Sequence, residues 1–341
     1  MTNSILRGIS DKKLSAKEIV MKMGPLLALL VLSIIMSLST PKFLNYFNIM
    51  NIFKQTSINF MIASGMLIVL ITAGIDLSVG SNAAMAACVM GVMLQSGITN
   101  VFLLIIGAML SSMLVGYING VLLTKLHLPH PFVSTMGTKF IVLGFALLIT
   151  NATPIGFINK GVDPLLVLGS KTIYGFPVSF IAVIIVMFGY HVFLNKTALG
   201  RQLYCVGGNP EASHLSGINS GKVLRIAYTI SGAMTGLAGI ILVGRVSTAS
   251  ATVGTTFDMD SIAACIIGGA SFMGGKGSIF GVLIGALLIS TIRNGLNLLG
   301  AQNDIQYIVI GLVIIVAVFI DVTRSRLEQN ARRLAQAKSI D

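Results

Sequence analysis

The chain has 341 residues, of which 55% are hydrophobic and 10% are charged, and its formal net charge is +12. Soluble domains carry about a quarter charged residues, so this composition excludes a soluble globular domain and predicts an integral membrane protein. The basic residues flank apolar segments and form no patch with aromatic side chains, which argues against nucleic acid as a partner.

Apolar runs separated by polar segments predict an all-α polytopic membrane protein with about ten transmembrane helices. The candidate spans are residues 23–38, 58–72, 79–94, 101–123, 132–150, 178–194, 223–243, 262–273, 279–299 and 305–320. Several are shorter than the roughly 20 residues that cross a bilayer, most clearly the run at 262–273. Such runs must include flanking polar or glycine-rich residues, or be broken helices.

Lysine and arginine concentrate before the first span and after the last, which predicts that both termini are cytoplasmic. The chain then divides into a cytoplasmic segment at 1–22, a transmembrane domain at 23–321 and a cytoplasmic tail at 322–341. The residues concerned are Arg7, Lys12, Lys13, Lys17 and Lys22 at one end and Arg324, Arg326, Arg332, Arg333 and Lys338 at the other. An even number of spans places the loop at 195–222 in the cytoplasm and residues 151–176 outside, as a candidate surface for an external partner.

The second span leads into the most unusual sequence of the apolar region, TAGIDLSVGS at residues 72–81. Residues 41–55, before that span, are predicted to lie outside. A carboxylate between glycines and apolar segments predicts a break between two helices. Asp76 is then either a contact to the substrate or a gate, together with Ser78, or a cap that accepts backbone N–H bonds of the next helix, assisted by Ser78 and Ser81.

Two asparagines inside spans are further candidates for the substrate path or gate. Asn119 lies between Gly116 and Gly120, whose four-residue spacing predicts the close approach of a neighbouring helix. Its amide group either faces a polar pathway or forms an interhelical hydrogen bond. Asn294 lies within the run at 279–299.

Two longer glycine series predict seams where helices pack closely. They are Gly232, Gly236 and Gly239 in one run and Gly277, Gly281 and Gly285 in another. These series indicate packing and carry no information about a substrate. Between them, the two aspartates of the sequence DMD at 258–260 are predicted outside and the glycine-rich turn at 268–278 inside.

No residue pattern predicts a metal site or a catalytic site. His127 and His130 stand close together without cysteine or carboxylate neighbours, and the three cysteines have no metal-ligand spacing. The turn at 268–278 departs from the phosphate-binding loop pattern, because Ala270 and Gly277 occupy the positions of its first glycine and its hydroxyl. The chain is therefore predicted not to be an enzyme.

The loop at 195–222 is the longest polar interruption between the spans, and it contains a predicted helix of about two turns. The residues that begin and end this helix are Asn209 as N-cap, Pro210 at the first helical position, Glu211 in the first turn and Gly217 in a turn with positive φ. A helix this short is marginal alone in water and should rest against something. Ala212, Leu215 and Ile218 would offer small and apolar contacts to a groove.

The sequence at 211–217 resembles the EAA motif of ABC-importer permeases, with Ser213 in place of the second alanine and without the more distal IxLP part. The sequences at 207–219, 72–81 and 268–281 resemble one branch of that family, the permeases of the ribose, galactose and xylose type. The resemblance covers roughly residues 25–320. It implies that the cytoplasmic coupling helix for the ATPase is formed by Asn209, Pro210, Glu211, Ala212, Ser213, Leu215, Gly217 and Ile218.

The resemblance also implies a multi-pass protein of the bacterial inner membrane and its partners. These are an ABC ATPase subunit, a periplasmic or lipid-anchored solute-binding protein, a second permease copy or paralogue, and membrane lipid. The ATPase would use ATP and magnesium, while this chain would bind no cofactor. The cargo would be a monosaccharide or a related small polar solute, moved by alternating access.

Two other functions are open at this point. An ion-coupled secondary carrier would work without an ATPase, with Asp76 as its natural proton or cation site. A receptor-like subunit would bind partners without transporting a solute. The resemblance also leaves the cargo open among pentoses, hexoses, inositols, nucleosides and the furanosyl quorum signal.

Overall fold

The computed structural model describes residues 16–126, 128 and 130–337, with side chains described within residues 24–323. Several residues of the sequence predictions lie outside the described residues: Arg7, Lys12, Lys13 and Lys338 of the topology signal, and His127 of the histidine pair.

The described residues form thirteen helices and four strands of two residues each. The helices are α1 (Ala16–Ser39), α2 (Tyr46–Ile71), α3 (Val79–Gln95), α4 (Val101–Thr124), α5 (Pro131–Ile149), α6 (Asp163–Ser170), α7 (Val178–Lys196), α8 (Ala198–Gly208), α9 (Pro210–Leu215), α10 (Ser220–Val246), α11 (Phe257–Ile267), α12 (Ile279–Leu298) and α13 (Asn303–Ala337). The strands are β1 (Ile155–Gly156), β2 (Thr172–Ile173), β3 (Phe176–Pro177) and β4 (Thr248–Ala249). The all-α prediction is confirmed, and the short strands only join connections, β1 with β4 and β2 with β3, both antiparallel.

Within the described part of the chain, seven helices are long and apolar enough to cross a membrane: α2, α4, α5, α7, α10, α12 and α13. The apolar helices Gly24–Ser39 and Val79–Gln95 are shorter. The protein is thus a polytopic helical membrane protein, and the count of about ten spans stays a prediction. α13 continues past the last predicted span, so part of the segment predicted as a tail is helical.

The helix that contains the predicted span at 58–72 begins earlier than expected, because α2 begins at Tyr46 and includes the second half of residues 41–55. The outside location of residues 41–55 stays a prediction. The Asn45 side chain caps this helix by accepting the Phe47 N–H at 2.9 Å. The polar residues that made this stretch look like a loop have partners on other helices. Asn48 bonds to α12 and Asn51 to α10, so the polar first turns of α2 are satisfied within the bundle.

The run predicted at 262–273 takes in flanking polar residues and is interrupted after Ile267, as its short length led us to expect. α11 begins at Phe257 and ends at Ile267, and residues 268–278 form the glycine-rich turn. Gly268 lies so close to Gly281 of α12 that a Cβ atom would overlap its backbone. The chain leaves the helix there because Gly269 has a φ of +90°, which is costly for residues with a side chain.

Helices α2 and α10 form the centre of the bundle, with 89% and 72% of their most apolar stretches buried. The predicted glycine seams are confirmed. A Cβ atom at Gly116 of α4 would overlap the Tyr228 carbonyl group of α10, and one at Gly232 would overlap the Ser112 carbonyl group of α4. Small residues on both helices therefore bring their backbones into contact.

The connections between helices meet at the two ends of the bundle. At the strand end, β1 of the connection at 150–177 pairs with β4 of the connection at 247–256. At the α9 end, the connections at 72–78, 197–219 and 268–278 lie together. α10 runs from the α9 end to the strand end.

Candidate functional site

α9 is a six-residue helix whose two ends are closed by local hydrogen bonds. The Asn209 Oδ1 accepts the Ala212 N–H at 2.9 Å. At the other end, the Ile218 N–H donates to the Ser213 carbonyl oxygen at 3.0 Å, and Gly217 has a φ of +80°. This is the Schellman arrangement, in which a left-handed glycine lets the chain turn out of a helix. The predicted helix and both of its ends are confirmed.

Most of α9 is not covered by the described chain. Ser213 is buried, whereas Glu211, Ala212 and Leu215 are exposed, and Leu215 has 82% of its surface accessible. The Ser213 hydroxyl adds a local hydrogen bond to the start of the helix, because its Oγ donates to the Asn209 carbonyl oxygen at 2.8 Å. An apolar side chain presented on a helix with satisfied ends is the kind of surface that a partner's groove accepts.

The polar loop predicted at 195–222 contains a second helix, α8, that the sequence did not reveal. Its hydrophilic surface residues gave the stretch a polar character, but Leu203 and Val206 point into the main core. Thr197 begins the helix, because its Oγ1 accepts the Gly200 N–H at 3.0 Å. α8 therefore anchors α9 to the bundle.

The end of α8 touches two other connections at one point, which we call the glycine junction (Ile71, Gly207, Gly274 and Gly275). Gly207 lies against the Ile71 carbonyl group at the end of α2, where a Cβ atom would overlap it. The same carbonyl oxygen accepts the Gly275 N–H at 2.8 Å. The end of α8 is therefore in backbone contact with both α2 and the glycine-rich turn.

Asp76 lies next to this junction, in the break between α2 and α3, and it is buried with 2% of its surface accessible. Its Oδ1 accepts the Ser78 N–H at 3.0 Å, the Ser78 hydroxyl at 2.6 Å and the Asn119 amide N–H at 3.3 Å. Its Oδ2 accepts the Ser231 hydroxyl at 3.3 Å. We call these four residues the Asp76 cluster. It ties the break to α4 and α10.

The geometry bears on both interpretations of Asp76. Asp76 does accept a backbone N–H bond, as a cap would, but from Ser78, which is itself the N-cap residue of α3. The Asn119 amide makes interhelical hydrogen bonds, including one of 2.8 Å to the Ser78 hydroxyl. In this conformation Asp76 is thus a buried anchor of the break. Whether it also contacts a solute in another conformation stays a hypothesis.

Asn294 is not part of the Asp76 cluster. Its amide group pairs with that of Asn48 through two hydrogen bonds of 2.8 and 3.0 Å between α12 and the start of α2. The pairing satisfies both side chains inside the bundle. The structure therefore separates the four candidates for a path or gate into one group of three and Asn294 alone.

Two buried ion pairs are functional candidates that the sequence analysis missed. Lys139 of α5 contacts Asp258 with 2.6 Å between Nζ and Oδ2. Arg293 of α12 binds Asp260 through two hydrogen bonds of 2.8 and 2.9 Å, and its Nη2 also donates to Thr256 at 3.2 Å. Both carboxylates lie in the first turn of α11, where the helix dipole favours negative charge.

A signal for these pairs was present in the sequence. Lys139 and Arg293 are charged residues inside otherwise apolar runs, at 132–150 and 279–299. Charge within a membrane span is costly and is generally associated with a function or a partner. This criterion selected Asp76 and, applied to every run, selects these two residues and also Arg225, near the start of the run at 223–243. Among the described residues, no group of three or more His, Cys, Asp or Glu side chains could hold a metal ion.

Comparison with known proteins gives one family and several relatives. The family model described as the permease component of the branched-chain amino acid transport system matches residues 48–318. The chain is 38% identical over 317 residues to the ribose import permease protein of Bacillus subtilis (strain 168), covering 92% of this chain and 97% of that protein. It is 38% identical over 293 residues to the D-allose transport system permease protein of Escherichia coli (strain K12), covering 86% and 88% of the two chains.

A third relative is the galactose/methyl galactoside import permease protein of Escherichia coli (strain K12). The two chains are 35% identical over 315 residues, which cover 87% of this chain and 93% of that protein. No solved structure matches the chain significantly.

Proposed function

Since the chain belongs to the family of permease components of the branched-chain amino acid transport system, we propose that it imports a monosaccharide or a related small polar solute, driven by ATP. It is a permease subunit and a multi-pass protein of the bacterial inner membrane. The relatives that match nearly its whole length are named for ribose, D-allose, galactose and methyl galactoside. The proposed cargo follows these relatives and not the amino acid in the family's description.

The observation that carries the proposal is the α9 surface. Leu215 is 82% exposed on a helix that is held at both ends, so nothing in the described chain uses this surface. A separate ABC ATPase subunit would seat α9 in a groove and hydrolyse ATP with magnesium, while this chain binds no cofactor. The glycine junction supports this role, because it connects α8, and through it α9, to the central helix α2.

We propose about ten membrane-embedded helices, with both termini and the α9 end in the cytoplasm. The grouping of alternate connections at the two ends of the bundle supports this topology. The strand end would then receive a periplasmic or lipid-anchored solute-binding protein. The exposed apolar faces of α5 and α13 would contact lipid and a second permease copy or paralogue.

Gly217→Val and Glu211→Lys are expected to uncouple the permease from its ATPase. Valine at a φ of +80° is strained by about 1–2 kcal/mol, and this strain distorts the end of α9. Lysine at the first turn reverses a favourable charge on the exposed surface. The protein should still insert into membranes, while co-purification of the ATPase and ATP-driven uptake should each fall about tenfold, the equivalent of 1.4 kcal/mol.

Gly97→Val is the matched control for this experiment. Gly97 has a φ of +88° and open space around it, like Gly217, but it lies in the connection between α3 and α4. The same backbone strain away from α9 should leave ATPase co-purification unchanged. Wild-type values for both α9 variants would mean that α9 is only a connector.

The cargo can be tested with the complete complex of permease, ATPase and binding protein in liposomes. We expect ATP-dependent accumulation of at least one of D-ribose, D-allose and D-galactose, and none of L-leucine. Accumulation of L-leucine and of none of the sugars would mean that the cargo is an amino acid. If the purified permease alone accumulated a sugar under a proton or sodium gradient, the protein would be an ion-coupled carrier and the proposal would be wrong.

A further inference from the structure

A cavity of about 190 Å³ lies between α5, the first turn of α11, α12 and the first half of α13. Water occupies about 30 Å³ per molecule in the liquid, so the cavity has room for roughly six waters or one small polyol. The residues of the two ion pairs form its charged side: Lys139, Asp258, Asp260 and Arg293. Its apolar side is formed by Met259, Tyr307, Ile310, Gly311 and Ile314.

The cations are the more accessible partners of both pairs. The side chains of Lys139 and Arg293 are 18% and 14% exposed, whereas those of Asp258 and Asp260 are 1% and 2% exposed. Lys139 lies near the middle of α5, where a charge is costly unless it faces a partner or a polar cavity. Here it does both.

Asp258 is incompletely satisfied. Its Oδ2 receives the Lys139 ammonium group, but its Oδ1 is buried and has no hydrogen-bond partner among the described residues. Buried polar atoms are rarely left without partners, so this oxygen is an unused acceptor. It has almost no accessible surface, so a ligand that donates to it requires a small rotation of the carboxylate group. Because Asp258 lines the cavity, the donor would come from there.

The charges of the two ion pairs determine which kind of ligand the cavity can bind. Two cations and two carboxylates balance, so an ionic ligand of either sign finds its counter-charge already engaged. A zwitterion would have to break the 2.6 Å contact between Lys139 and Asp258 to be bound by both. A hydroxyl group both donates and accepts, so it can donate to Asp258 Oδ1 and accept from the remaining Lys139 hydrogens without breaking the pair.

We propose that this cavity is a solute subsite that binds a neutral polyhydroxylated ring, such as a monosaccharide, through Lys139 and Asp258. Tyr307, Ile310 and Ile314 contact the C–H face of the ring, as in small-molecule sites where a few polar groups orient the ligand on an apolar surface. This inference rests on the proposed function, because it assigns residues to the cargo of the permease.

The pair of Asp260 and Arg293 forms one wall of the subsite. Together with Thr256, it also lines a second cavity of about 170 Å³ that reaches α2 and α10. Gln55, Asn59 and Arg245 give this second cavity a polar lining. The pair thus lies between the two cavities, and its two hydrogen bonds hold the side chains that line the first one.

The subsite can be tested by protection of an introduced cysteine. Met259 lines the cavity and is 42% exposed, so Met259→Cys in a Cys205→Ser background gives a reactive probe, while Cys88 and Cys265 are buried. The full-length permease in lipid nanodiscs is labelled with a maleimide, with and without D-ribose, D-allose and D-galactose. We expect at least one sugar to slow labelling several-fold.

Met273→Cys is the matched control, because Met273 is exposed at the α9 end and does not line the cavity. Its labelling should not respond to any sugar. Asp258→Asn in the Met259→Cys protein should abolish protection relative to that variant's own labelling rate without sugar, whereas Asp163→Asn, at an exposed acid of α6, should preserve protection. If the ion pair were merely structural, no sugar would slow the labelling of Met259→Cys even with Asp258 in place.

Protection by none of the three sugars would overturn the subsite, and so would protection by L-leucine. The uptake assay of the complete complex keeps the two conclusions separate. ATP-driven uptake of a sugar without protection at Met259→Cys would refute the subsite and leave the proposed function intact. If a sugar slowed the labelling of Met259→Cys but was not taken up with ATP, the subsite would stand and the proposed ATP-driven import of that sugar would be refuted.

Discussion

Replacing Gly207 with alanine is expected to abolish uptake while the ATPase still binds. The added Cβ atom would overlap the Ile71 carbonyl group and approach the Gly275 nitrogen, so α8 must move away from α2. If the Ile71 carbonyl group is displaced instead, it loses the 2.8 Å hydrogen bond that it accepts from the Gly275 N–H. Overpacking of this kind costs about 1–3 kcal/mol. The α9 surface is unchanged, so ATPase co-purification should stay near normal while ATP-driven uptake falls by more than about tenfold.

The neighbouring glycine provides the control. Gly208 also lies in α8, but a Cβ atom there would meet nothing within 4 Å. Gly208→Ala should therefore behave like the wild type in uptake and in thermal stability. If Gly207→Ala did the same, the glycine junction would not transmit movement from α9 to the bundle.

Replacing Asp76 with alanine is expected to give the largest loss of stability. The substitution removes the acceptor of four hydrogen bonds and leaves the Ser78 N–H and one N–H of the Asn119 amide as buried donors without a partner. Each unsatisfied donor costs about 1–3 kcal/mol, so the free energy of unfolding should fall by several kcal/mol. Thermal denaturation of the purified protein and the folded yield measure this loss.

The Asp76→Asn variant distinguishes the interpretation of Asp76 as a buried structural anchor from its interpretation as part of a solute path or gate. The asparagine Oδ1 can still accept from Ser78, and its amide N–H can donate to the Ser231 hydroxyl, so stability should fall by only about 1 kcal/mol. Ser231→Ala, which removes a single 3.3 Å bond, gives the scale for a small effect. If Asp76 lines the path, the Asn variant loses uptake while remaining folded. Equal loss of folded protein in the Asn and Ala variants would refute the path interpretation.

Features that depend on a few consecutive residues were predictable. The α9 helix follows from the chemistry of Asn209, Pro210 and Gly217, because its capping bonds join residues at most five positions apart. The break at Asp76 follows from a carboxylate and glycines between apolar runs. The bounds of helices were mispredicted where polar residues have distant partners. The start of α2 was predicted as a loop because it is polar, but Asn48 lies in the helix and pairs its amide with that of Asn294, 246 positions away.

The sequence by itself determined that this chain is a helical membrane protein, that it belongs near the sugar permeases, and that a short capped helix interrupts its spans. Each of these conclusions rests on average composition or on contacts within one or two helical turns. Only the tertiary structure decided which polar groups meet. Asp76 joins Asn119 across 43 positions, and Lys139 joins Asp258 across 119. Such pairs depend on how the helices cross, and that is set by packing over the whole bundle, to which a local stretch of sequence contributes only a part.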